Sequence, residues 1–404
     1  MPALLVEDEP TDTKRNRVHR DVWHAHSGAR IMPTVGGASA RSSEVRLRLL
    51  VRRPGEVFVP AAYAVVLGAR LYLATLPPIN STDLMRYLGF GRQFWRYGLG
   101  IYEHTPKEFG AVPYAELWPS LPFIYPAVAL LFFAGIAGIL PNLLFPRLVL
   151  TLIELVNSVL VARHTRSKWY GLVYFLSPVS IWWYSREGQY EPLVALTCLL
   201  ALLSLARSSR WSYCWLALGV QAKYWPGVLL PHVLRRERRL SALGLGLLAF
   251  LPSLLFLVAG PYVLGALTSP GMAQNCNPYF WIPFDPLRSC WTPRWHLALN
   301  ALATYGVLLA AVAALASETK RRSAILDYLP LLAFVAYYKS INWATAWYLP
   351  MCAVFALPIR RPWLRWVVLI LTFVEPIAWA GLLGRPIGWL NPAPPGQYVW
   401  GLIP

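Results

Sequence analysis

Six stretches of this chain are apolar over roughly the ~20 residues that a helix needs to cross ~30 Å of hydrocarbon: 57–76, 121–140, 143–162, 242–267, 297–315 and 363–383. Inside lipid every backbone N–H and C=O must be satisfied within the protein, so runs of this length are expected to be helices. With 56% hydrophobic and only 14% charged residues among 404, the composition is that of an integral membrane protein. The expected fold is all-α and polytopic, with roughly eleven to thirteen membrane helices, some too short to span alone.

Charge sets the expected orientation. Residues 1–54 carry ten Lys/Arg and six Asp/Glu, with few aromatics and no apolar stripe, and read as a disordered basic arm without the apolar core of a signal peptide. Arg46, Arg48, Arg52 and Arg53 lie just before the first apolar run, which places this arm on the cytoplasmic side. Further basic clusters follow at 163–168, 207–210, 235–239, 320–322 and 360–365. Basic residues gathered at a cytoplasmic membrane edge account for the net charge of +18 through anionic membrane lipids, with no nucleic acid required.

Placing every basic cluster on one side cannot be done with straight helices alone. If both runs between 121 and 162 crossed fully, the 163–168 cluster would fall outside, and a straight helix over 211–234 would do the same to Arg235. A broken hairpin that enters and returns removes each conflict. Lys223 and Pro226 mark the break in 211–234, since proline removes a donor and clashes with the preceding turn. Gly135, Gly138, Pro141 and Pro146 offer one for the earlier segment. The expected transmembrane domain, 55–384, then carries outer-face loops at 77–119, 185–191, 268–295 and 339–343, with an outer-face tail at 385–404.

Two polar interruptions stand out against this background: Ser185-Arg186-Glu187-Gly188-Gln189-Tyr190-Glu191-Pro192 and Gln221-Ala222-Lys223-Tyr224-Trp225-Pro226. Ionisable groups at membrane depth are costly and point to a polar site. In the first outer loop, Ser81 or Thr82 is placed to cap a helix beginning near Asp83. That helix reads as amphipathic, with Leu and aromatics on one side and Arg86, Arg92, Gln93 and Arg96 largely on the other, suited to the membrane interface.

Taken with Leu176-Ser177-Pro178, Leu229-Leu230-Pro231, Lys339-Ser340-Ile341-Asn342-Trp343 and Trp347-Tyr348-Leu349-Pro350, these motifs resemble the enzymes that add the first mannose to glycosylphosphatidylinositol. The order and spacing agree over roughly residues 70–360. More broadly the pattern is similar to the GT-C glycosyltransferases, which include bacterial and archaeal polyprenyl-phosphate-mannose-dependent enzymes. The resemblance implies a GT-C fold and sugar transfer, with inversion, from a polyprenyl-phosphate-linked donor to a lipid-linked or glycolipid acceptor on the extracytoplasmic face of the cell membrane. It also implies an acidic base in the first outer loop, matched here by Asp83. Where the glycosylphosphatidylinositol enzymes carry Asp-x-Asp, this chain has Ser81 at the first position, which leaves open both the acceptor and any assistance from Mg2+ or Mn2+.

Chemistry gives each residue a role beside that resemblance. An acceptor hydroxyl loses its proton as it attacks, so a carboxylate in reach accelerates the step, and Asp83 is the candidate. The departing lipid phosphate gains charge that a fixed cation stabilises, for which Lys223, Arg186 and Lys339 are candidates. Gln189, Glu191, Tyr224, Trp343 and His104 are the candidates for sugar or acceptor contact. Plain structural roles compete: helix capping for Asp83, snorkelling for Lys223, an interfacial belt for the tryptophans and a solvated loop for His104. Cys276 and Cys290 share one outer loop and are placed to form a disulfide, whereas Cys198, Cys214 and Cys352 sit in apolar runs as small hydrophobes. No zinc-type ligand spacing is present. A donor carrying arabinose or glucose, and a flippase or transporter of lipid-linked sugars, remain the alternative functions.

Overall fold

The computed structural model describes residues 54–78, 82–102, 105–109, 123, 125–258, 325–340 and 346–383, with side chains left out at several helix ends. The chain divides into two units, Met1–Glu56 and Val57–Pro404, and the helix bundle belongs to the second. Every described element is helical. Among the described residues, two helices are long and apolar enough to cross a membrane, Phe58–Thr75 and Leu144–Thr165. A third span results if Pro178–Arg186 and Glu191–Ala206, bent by 117°, count as one.

Helices α1 (Pro54–Thr75), α2 (Thr82–Tyr97), α3 (Ala127–Ile139) and α4 (Leu144–Thr165) come first. Helices α1 and α4 are antiparallel. Near the start of α1, Phe58 stacks with Trp169, just beyond the end of α4, at 5.6 Å. Past the other end of α1, the Leu76 carbonyl accepts from Arg147 Nη1, in the first turn of α4, at 2.6 Å. At 1.5 Å per residue, the 22 residues of α4 separate these two ends by about 33 Å.

Helix α3 has 13 residues, about 20 Å of rise, and is too short to span. It packs on α2 so closely that a Cβ at Gly91 would stand 2.4 Å from the Phe133 carbonyl oxygen. This contact holds the middle of α2 inside the bundle. Residues 84–91 of α2 are buried, Arg86 included, Asp83 is partly exposed, and Trp95, Arg96 and Tyr97 at its far end are exposed. The α2 residues that meet α3 are Tyr87, Gly91 and Trp95.

Helices α5 (Lys168–Phe175), α6 (Glu191–Ala206), α7 (Ser212–Ala222), α8 (Leu230–Arg236) and α9 (Leu240–Val258) follow. The break expected inside 211–234 is present. Helix α7 ends at Ala222, Lys223 is extended at φ −159° and ψ 140°, and a 3-10 turn covers Trp225–Leu229. The feet of this hairpin meet, since Tyr213 donates to the Glu237 carbonyl at 2.7 Å, so the segment enters and returns on one side. Helices α10 (Ile325–Ser340), α11 (Leu349–Phe355) and α12 (Pro362–Leu383) complete the described part.

Basic segments far apart in sequence converge at the end of α4 that lies farthest from Leu76. The His164 ring lies 3.4 Å from the Leu357 carbonyl, and Tyr170 donates to the Arg365 carbonyl at 3.1 Å. Arg236 and Arg360 both pair with the buried Asp327, and Arg239 donates to the Ser208 carbonyl at 2.7 Å. The arm 1–53, the loops at 110–122 and 268–295, His104, Trp343, the Cys276–Cys290 pair and the tail 385–404 lie outside the described residues.

Candidate functional site

The other end of α1 and α4 carries the polar cluster. Pro178–Ser180 runs into a π-helical turn, Ile181–Arg186, and the chain then bends through Gly188, whose φ of +76° favours glycine. A side chain there would also collide with Leu84 Cδ2, which stands 2.5 Å from the position of a Cβ. Pro192 suits the first turn of α6, where no amide donor is needed. This bend delivers Gln189 and Glu191 to two neighbouring parts of the cluster.

Asp83 lies in the first turn of α2, with its side chain 26% exposed. Gln189 Nε2 donates to its Oδ2 at 3.1 Å, and Arg86 Nη2 approaches Oδ1 at 3.3 Å. Burial pulls the Arg86 guanidinium down, but the Asp83 carboxylate and the neighbouring phenols more than offset this, leaving its pKa raised. Arg86 therefore stays a cation beside the one partly exposed carboxylate of the cluster.

Behind Asp83 stand tyrosines that the sequence pattern did not assign to the site. Tyr87 and Tyr125 share a hydrogen bond of 2.9 Å, and both pack edge-on against Tyr190. Burial drives Tyr87 well above the ordinary phenol range, and drives Tyr125 up to about 12 against the pull of Lys223. These phenols are neutral at physiological pH and act as hydrogen-bonding walls.

Lys223 is placed differently from the role expected for it. Its Nζ lies 2.5 Å from Glu191 Oε1 and within 4.7 Å of the ring centres of Tyr190 and Tyr348, with Tyr125 at 5.5 Å. Both partners are buried, with side-chain exposures of 6% and 0%. Lys223 and Glu191 thus form a buried ion pair walled by three tyrosine rings. Glu191 Oε2 has no hydrogen-bond partner among the described atoms.

Arg186 keeps more of its capacity. Its Nε donates to the Pro77 carbonyl at 3.2 Å while the guanidinium lies 4.4 Å over the Trp182 ring. Arg147, overlooked in the sequence, holds the same corner by donating to the Leu76, Leu143 and Arg186 carbonyls. Tyr224 is 38% exposed. Lys339 falls in the last turns of α10, and its side chain lies outside the described residues.

A second buried polar group also escaped the sequence pattern. Arg70 in α1 is fully buried and donates to the carbonyls of Phe175 and Ser180 and to the hydroxyls of Ser180 and Ser185. Glu154 in α4, likewise fully buried, accepts from Asn157 at 3.1 Å and Tyr174 at 3.3 Å. The signal was available as one Arg and one Glu inside apolar runs, but averaging over each run concealed them.

Among the described residues, no three His, Cys, Asp or Glu side chains gather as metal ligands. Cys198 and Cys214 are free thiols. No protein-family model, no curated protein and no solved structure matches the chain.

Proposed function

We propose that this chain is a polytopic membrane glycosyltransferase with a GT-C fold. It moves a sugar, mannose by the resemblance of its motifs, from a polyprenyl-phosphate donor to a lipid-linked or glycolipid acceptor. The observation that carries this reading is Asp83: a partly exposed carboxylate fixed by Gln189 and Arg86, at the end of the bundle where the two polar interruptions meet.

In the proposed step the acceptor hydroxyl oxygen attacks the anomeric carbon and its proton passes to Asp83. The bond from that carbon to the phosphate oxygen breaks, and the lipid phosphate leaves with the electron pair. Attack from the face opposite the phosphate inverts the centre. Arg186 is the better placed of the expected phosphate cations, because Lys223 is already paired with Glu191. Gln189 sets the carboxylate's orientation, and the buried tyrosines keep the surroundings low in water.

The test is turnover by the full chain in lipid vesicles, supplied with polyprenyl-phosphate-mannose and glycolipid acceptors. Glycosylated product is expected, with Asp83→Asn lowering the rate on the order of 10²–10⁴-fold while leaving folding intact. An Asp83→Asn variant at the native rate overturns the base assignment. The buried Arg70 and Glu154 favour the carrier reading as the second possibility, since charges within spans also mark transport paths. Movement of a labelled lipid-linked sugar across the vesicle membrane without product would establish that reading instead.

A further inference from the structure

We propose that the end of the bundle farthest from Asp83 is a binding surface for anionic phospholipid headgroups. The first observation is convergence. Four loops separated by up to two hundred residues are tied together by His164 to Leu357, Arg239 to Ser208, and Asp327 to both Arg236 and Arg360.

The second observation is the sign of what remains outside. The carboxylates at this end, Asp327 and Glu237, are buried to 2% and 4% exposure and already paired with arginines. Arg163, Arg166, Arg207, Arg210 and Arg361 stand exposed around them. Among the described residues, this surface offers cations and no exposed acid. An isolated net charge would serve any polyanion, so the third observation decides the partner.

Three indoles rim the same surface: Trp169 is 48% exposed, Trp211 46% and Trp363 58%. Each follows an exposed basic residue by one or two positions: Lys168, Arg210 and Arg361. Indoles prefer the headgroup level of a bilayer, where the ring is half in hydrocarbon and the N–H meets water. Exposed apolar side chains of α9 begin beside Arg239 with Leu240 at 82% and continue with Leu247 at 63% and Leu248 at 61%. Exposed leucines and indoles interleaved with arginines suit the headgroup region of an anionic leaflet better than a soluble polyanion, which has no use for the apolar side chains. The proposal is independent of the reaction assigned to the Asp83 end.

The experiment places the full chain in phosphatidylcholine vesicles containing brominated phosphatidylglycerol or, in parallel, brominated phosphatidylcholine, and reads quenching of tryptophan emission. Phosphatidylglycerol is expected to quench more strongly at equal fraction. Each basic residue at the surface is worth about five-fold in relative binding. The combined variant Arg207→Gln, Arg210→Gln, Arg361→Gln, whose positions are exposed and outside the core, should therefore lose most of the excess while its helical circular dichroism is unchanged. Molar salt should reduce the excess in the native chain. Equal quenching by the two lipids, an excess fully retained in the variant, or an excess abolished by inorganic phosphate at low concentration would each overturn the proposal.

Discussion

The two ends of the helix bundle handle charge in opposite ways. Near Asp83, the cations Lys223, Arg86 and Arg147 are buried and each is answered by a particular group: Lys223 by Glu191 and three tyrosine rings, Arg86 by Asp83, and Arg147 by backbone carbonyls. At the other end, the carboxylates are enclosed while most cations stand in the open. A buried charge gains little net stability from its partner, yet losing that partner is severe, because desolvation is no longer offset. An exposed charge is screened by water and salt, so its loss is mild. Sequence weights both ends equally as Lys, Arg, Asp and Glu, and depth alone separates them.

That contrast is open to direct attack by substitution. The largest stability effect is expected for Lys223→Met, which strands Glu191 and should cost about 3–5 kcal/mol in detergent unfolding. Adding Glu191→Leu to the same chain should restore most of the loss. Equal stability of Lys223→Met and the native chain would end the distinction between the two ends. Next comes Gly91→Ala, whose methyl group meets the Phe133 carbonyl oxygen, a backbone atom that cannot rotate away. Pushing α2 from α3 should cost about 1–3 kcal/mol.

The mildest effects belong to the basic end. Arg207→Gln with Arg210→Gln should change stability by no more than about 0.5 kcal/mol. A pH dependence is also expected from Glu237, whose carboxyl is held below its ordinary range by hydrogen bonding to Arg239. Its folded pKa lies below its unfolded one, so its contribution is present above the ordinary carboxylate pKa and is lost as pH falls through the folded value. Arg239→Gln should flatten that part of the stability profile, read as unfolding temperature against pH; an unchanged slope would remove Glu237 from the account.

Much of the architecture was legible from residue order. The apolar runs at 57–76 and 143–162 appear as spanning-length helices, and the conflict among basic clusters located the break at Lys223. Helix α3 was legible as an interrupted segment through Pro141, although its 13-residue length depends on the packing around it. The polar groups were less legible. Asp83, Gln189, Arg186, Glu191 and Lys223 stood out as residues, but their pairing did not. Tyr87, Tyr125 and Tyr190 gave no signal, since an aromatic in such a chain reads as belt or core whether or not it lines a polar cluster.

By itself, the sequence determined which stretches are apolar enough to cross a membrane, their helical class and the residues that interrupt them, because composition and spacing act locally along the chain. Tertiary structure decided what each cation meets. Lys223 and Arg186 have the same formal charge in sequence. Only the bend at Gly188 and the end of helix α7 at Ala222 bring Glu191 against one and the Trp182 ring and Pro77 carbonyl against the other. The energy of a charge depends on what encloses it, and enclosure is a property of the folded chain.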